Sequence, residues 1–184
     1  TGAGVDDEPM LPGRVITSPG VVLLHFVSLT DMTEQDLQIK VSISSRFENI
    51  DLVDVVMEAA MRHFGFDAET VERLGLAIRE AVANGVRHGN KQEPTKKVEL
   101  TCDLKQDVMA LRITDEGSGF DVDAIPDPLA ADNLFNPSGR GILLMRAFMD
   151  EVDFRFGDNG GTQVTLQKRL PPTPSEAGLE EEKS

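Results

Sequence analysis

Between residues 37 and 169 the apolar residues change their repeat from two to 3.6 and back, and the order of those changes leaves few folds open. Leu37, Ile39, Val41 and Ile43 alternate with Gln38, Lys40 and Ser42, which predicts a half-buried strand. From about Asn49 to Phe64 the stripe of Val53, Val56, Ala60 and Phe64 predicts a helix, and Gly65 stops it. Asp67 suits the N-cap of a second helix, whose inward stripe is Val71, Leu74, Ile78, Ala81, Val82 and Gly85. That helix is expected to end near Gly89-Asn90, with Pro94 beyond. Alternation returns at Val98, Leu100, Cys102 and Leu104, turns at Lys105-Gln106-Asp107, and resumes at Met109, Leu111 and Ile113. A third helix from near Gly139 to about Met149 precedes Val152, Phe154 and Phe156, a glycine-rich turn, and then Thr162, Val164 and Leu166. Short hairpins join most of the strands, so the expected sheet is mixed but mostly antiparallel, with helices on one face. The class is α+β, a two-layer α/β sandwich.

The flanks read differently. Residues 1–35 are rich in Gly, Pro and Asp with little periodicity, and are expected to form a poorly ordered N-terminal extension. The chain begins with Thr1, and Met32, just before the first convincing strand, is one candidate for a natural start, which leaves open whether residues 1–31 belong to the native protein. Residues 171–184 (PPTPSEAGLEEEKS) read as a disordered acidic tail, which leaves one domain at 36–170. The longest apolar run, Val21 to Val27, is too short to span a bilayer and contains His25. With one cysteine there is no disulfide framework and no cysteine-based zinc site. A cytoplasmic protein without a membrane partner is expected. The net charge of −14 argues against nucleic acid as a partner.

Four groups of residues can carry chemistry. Glu80, Asn84 and His88 fall at i, i+4 and i+8 and share one face of a regular helix, away from Ile78 and Val82. A carboxamide oxygen there suits Mg²⁺, and a carboxylate one turn away can accept a proton. Such pairs are also common on solvated helix faces. Asp115 keeps the strand parity of Met109, Leu111 and Ile113, so it points to the core side, where a buried carboxylate needs a donor. Gly117 and Gly119 let the backbone approach a ligand, although Asp and Gly also mark ordinary turns. Gly139, Arg140 and Gly141 open a helix whose free amide groups favour phosphate, with Arg140 as a charged contact. Thr162 shares the inward parity of Val164 and Leu166, so its hydroxyl can meet the base side of a ligand.

In this order the motifs resemble the GHKL ATPase superfamily, with its Bergerat ATP-binding fold, over about residues 37–169. Glu80 to Asn84 looks like the N box, Asp115 to Phe120 the first glycine box, Gly139 to Gly141 the second, and Gly161-Thr162 the final threonine motif. The small size and the run Asn84-Gly-Val-Arg-His88-Gly89 resemble the bacterial anti-sigma-factor serine kinases. The resemblance implies ATP and Mg²⁺ as cofactors, Asn84 as the metal ligand, Asp115 as the adenine receptor and Glu80 as the catalytic base. It implies a lid at about 121–138, and as partners a sigma factor and an anti-anti-sigma protein of STAS type whose serine is phosphorylated. It also makes a homodimer plausible, with the first strand as a possible edge. The lid departs from the family: it carries Asp121, Asp123, Asp127 and Asp132 but no lysine or arginine, which leaves Arg140 to face the γ-phosphate. The acidic surface repels free ATP, so the nucleotide is expected to arrive with its metal. Alternatives are a non-catalytic ATP-gated binding module, which needs no Glu80, and the catalytic fragment of a histidine kinase, which needs an upstream helix pair bearing a phospho-accepting histidine. His25 and His63 read as structural.

Overall fold

In the computed structural model, residues 23–26, 37–105, 107–118, 140–156 and 160–171 are described, with 23–26 and 140 known by their backbone alone. The elements are β1 (Leu23–Phe26), β2 (Leu37–Ser44), α1 (Ile50–His63), α2 (Ala68–Asn84), a π-helical turn (Gly85–Gly89), β3 (Lys97–Lys105), β4 (Val108–Asp115), α3 (Arg140–Phe148), β5 (Glu151–Phe156) and β6 (Thr162–Arg169). The strands form one sheet in the order β1-β2-β3-β4-β6-β5, and each described pairing is antiparallel.

Register explains why the helices cover one face only. Ile39, Cys102, Leu111, Leu166 and Val152 lie in one row across the sheet, and Val41, Leu100, Ile113, Val164 and Phe154 in the next. These rows are buried or half-buried against one apolar core with Val53, Met57 and Met61 of α1, Leu74 and Ile78 of α2, and Met145 of α3. The alternate rows hold Lys40, Thr101, Arg112, Thr165 and Asp153, a polar face left to solvent. The two-layer α+β architecture expected from the periods is the one that forms. Phe156 is an exception to its alternation, since it is 62% exposed at the end of the outer strand.

Two local differences matter. The sequence offers β2 as a possible free edge, but β1 pairs along it from Leu23↔Ser42 to Phe26↔Ile39. The apolar run that supplies β1 is short and has no alternation to announce a strand. The second difference is at the end of α2. The helix does not run regularly to Gly89-Asn90; after Asn84 it widens into the π turn, closed by Asn90 N–H donating to Gly85 O at 2.8 Å.

The start of α2 is as expected. Asp67 caps it, accepting Thr70 N–H at 2.9 Å and the Thr70 hydroxyl at 2.7 Å. Arg79 ties α2 to α1 by donating to Asp51 at 2.9 Å and to Asp54. Burial nevertheless holds Asp54 above the usual carboxylate range. Cys102 is buried in the core, and burial first, then nearby Asp103, pushes its thiol up to about 12. No helix among the described residues is long and apolar enough to cross a membrane.

Candidate functional site

The polar cluster of interest forms where β4 ends, β6 begins and α2 unwinds into its π turn. Asp115 is the last residue of β4 and, as its parity predicts, is buried, at 5% exposure. Its Oδ1 accepts the backbone N–H of Gly117 at 2.9 Å and that of Thr162 at 3.2 Å. Burial raises its pKa from the ordinary value of 3.8, against the opposing pull of those two amides and of Lys96. No described donor reaches Oδ2.

Glycines make this carboxylate's surroundings possible. A Cβ at Gly89 would lie 2.6 Å from Asp115 Oδ1, and one at Gly117 would lie 2.8 Å from the same atom. Gly161 adopts φ +78°, and a Cβ there would come 2.9 Å from Oδ1. Any side chain at these positions would fill the space around the carboxylate or expel it.

Thr162 completes the base of the cluster. It is buried, and its Oγ1 is the one buried side-chain polar atom without a hydrogen-bond partner among the described residues. An orphaned hydroxyl beside a buried carboxylate is costly unless a ligand or water joins it. This pair presents an acceptor and a hydroxyl to anything that enters, which suits a flat heterocycle carrying an amino group.

Glu80 and Asn84 are half-buried on α2, one turn apart as expected. Glu80 lies against the start of α3: a Cβ at Gly141 would stand 2.6 Å from Glu80 Oε2. Thus the N-terminus of α3 is brought to the same carboxylate. Arg140 opens α3, and its side chain lies outside the described residues. His88 falls inside the π turn and is exposed, so its place on the Glu80–Asn84 line no longer follows from regular spacing. Gly119, Gly139 and the proposed lid at 121–138 lie outside the described residues.

Sequence reasoning missed Gly85, Gly89 and Asn90 as parts of this cluster. Gly85 approaches Val98 and Asp115 closely, with a Cβ there at 3.4 and 3.5 Å from their side chains. The available signal was two glycines four residues apart at a helix end, which marks a face with no room for side chains.

Residues 43–168 match the family described as the histidine kinase-like ATPase domain. The chain is 28% identical over 135 residues to the anti-sigma F factor of Oceanobacillus iheyensis, covering 72% of this chain and 92% of that one. It is 26% identical over 139 residues to the serine-protein kinase RsbW of Bacillus subtilis, covering 72% and 85%. The anti-sigma F factor of Halalkalibacterium halodurans is 30% identical over 135 residues, covering 72% and 92%.

Proposed function

The chain belongs to the histidine kinase-like ATPase domain family, and from that premise we propose that it is a cytoplasmic, ATP-binding anti-sigma regulatory factor that phosphorylates a serine or threonine of an anti-anti-sigma partner. The ATP-binding unit is 36–170. The observation that carries the reading is the pair at its base: Asp115, buried within a ring of glycines, beside the orphaned hydroxyl of Thr162. An adenine fits what these residues lack. Its exocyclic amino group gives the carboxylate a donor, and its ring nitrogens give the threonine hydroxyl an acceptor, directly or through water.

The phosphates would extend towards α2 and the start of α3, where Gly141 meets Glu80 and a helix N-terminus favours phosphate. Among the described residues no three His, Cys, Asp or Glu converge on a metal position. The Asn84 carboxamide oxygen would therefore hold Mg²⁺ jointly with phosphate oxygens, as is usual for this ion. Glu80 takes the proton of the partner's hydroxyl as its oxygen bonds the γ-phosphorus; the bond from the γ-phosphorus to the β–γ bridging oxygen breaks, and ADP leaves. The names of the relatives, an anti-sigma F factor and a serine-protein kinase, support this reading over ATP binding alone. The sigma factor and a STAS-type protein are the corresponding partners.

The test is transfer of labelled γ-phosphate from MgATP to the cognate anti-anti-sigma protein. Glu80→Gln is expected to lower the rate about 10²- to 10⁴-fold. Transfer that is undetectable in the wild type, or unaffected by Glu80→Gln, would reject the kinase assignment while leaving ATP binding to be read separately by calorimetry.

A further inference from the structure

Asn90 is fully buried at the point where β3 and β4 part. Val98 and Asp115 are the last residues paired at that end of the two strands. One step further, the Asn90 carboxamide enters the gap: Glu116 N–H donates to Asn90 Oδ1 at 2.8 Å, and Asn90 Nδ2 donates to Lys97 O at 2.8 Å. The side chain thereby takes the place of a peptide group in the ladder, with donor and acceptor both satisfied. Lys97 N–H is taken by Glu116 Oε2 at 2.7 Å, which closes the same gap from the outside. On the helix side, Asn90 N–H closes the π turn on Gly85 O. Its predecessor Gly89 is the residue pressed against the Asp115 carboxylate, and a Cβ at Gly117 would stand 2.6 Å from the Gly89 carbonyl carbon. One side chain therefore joins the helix that bears Glu80 and Asn84 to the strand end that bears Asp115.

We propose that Asn90 is a positioning residue for the base end of the nucleotide, holding Gly89 and the residue-116 amide so that the Asp115 carboxylate keeps a fixed angle and clearance. The inference rests on reading Asp115 as the base anchor. A wedge that fixes only the carboxylate end acts on the base alone, so its removal weakens every ligand carrying adenine by the same factor. A purely structural staple would lower thermal stability without that signature.

Calorimetric titration of the wild type, Asn90→Ala and Asn90→Ser with AMP and with MgATP tests this, with the thermal midpoint of each protein recorded alongside. The expected result is a loss of affinity of about three- to tenfold, equal for AMP and MgATP, the scale of one or two neutral hydrogen bonds. Variants that bind both ligands as the wild type does, with a lowered midpoint only, would overturn it. So would a loss confined to MgATP. Should neither variant fold, hydrogen exchange in the unaltered protein decides: the Glu116 amide is expected to exchange more slowly with saturating AMP, and an unchanged rate would overturn the proposal. A wild type that binds neither ligand sinks the base-anchor reading itself, a result distinguishable from all of these.

Discussion

Asp115 is held by two backbone amides on one oxygen, while burial works against its charge. Those opposed effects predict that stability and binding part company in Asp115→Asn. The asparagine keeps an oxygen for the Gly117 and Thr162 amides but presents no charge to an adenine amino group, so affinity for MgATP is expected to fall about 10- to 100-fold. Without nucleotide the sign reverses. Below pH 3.8 the carboxyl is protonated whether the chain is folded or not, and the buried charge costs nothing. As pH rises past that value the unfolded chain ionises first, and the folded state loses stability until Asp115 also ionises. At pH 7 the variant is therefore expected to be the more stable protein, with the advantage gone at pH 3. Urea midpoints at the two pH values measure it, and a variant less stable than wild type at pH 7 would contradict the account. Gly89→Ala works by volume instead. Its methyl would stand 2.6 Å from Oδ1, so about 1–3 kcal/mol of stability is expected to go together with ATP binding.

At the scale of elements, α2 is legible at its start and its centre and illegible at its end. Asp67 announces the cap, and the stripe from Val71 to Val82 is buried as its spacing predicts, because both signals are local in sequence. Asp67→Ala is accordingly expected to lower the thermal midpoint at pH 7. The Thr70 hydrogen bonds hold the Asp67 carboxyl below its usual range, so this contribution is present above pH 3.8 and disappears as pH falls through the depressed value. Midpoints of both proteins at pH 7 and pH 2 would show the gap closing; a gap independent of pH would mean that the carboxylate is not the cap. The π turn after Asn84 carries no such local mark. It forms because Asn90 is claimed by Lys97 at the start of β3 and by Glu116 just past the end of β4, and a pattern within one helix cannot report partners outside it. The same reason separates Asp115 from β1. Parity within β4 was enough to turn Asp115 inward, whereas β1 is defined by its pairing to β2 and shows no periodicity of its own. Glu80, Asn84, Asp115 and Thr162 were thus readable from spacing, but the glycines that bring α2 against β4 became meaningful only once the two elements met.

The charge of the whole chain sets how a nucleotide reaches this site. The net charge is −14, and ATP is itself an anion, so the long-range field opposes the encounter. The stretch from Gly85 to Lys97 runs the other way, with Arg87, Lys91, Lys96 and Lys97 against Glu93 alone. Of these Lys96 is near enough to favour the Asp115 carboxylate, and it is already bridged to Glu93 at 3.1 Å. The local cations are few and exposed or partly exposed, and their effect is short-ranged, whereas the acidic surface acts over the full screening length. That length is about 30 Å at 0.01 M salt and about 8 Å at 0.15 M. Salt should therefore remove the repulsion of the whole before it weakens contacts within the site. The association rate of MgATP is expected to rise over this range of salt, and that of metal-free ATP, the more highly charged ligand, to rise by a larger factor. Stopped-flow mixing with a fluorescent adenine nucleotide, with and without Mg²⁺, measures both slopes. A rate that falls with salt in either case would mean that the basic stretch beside the π turn, and not the net charge, governs approach.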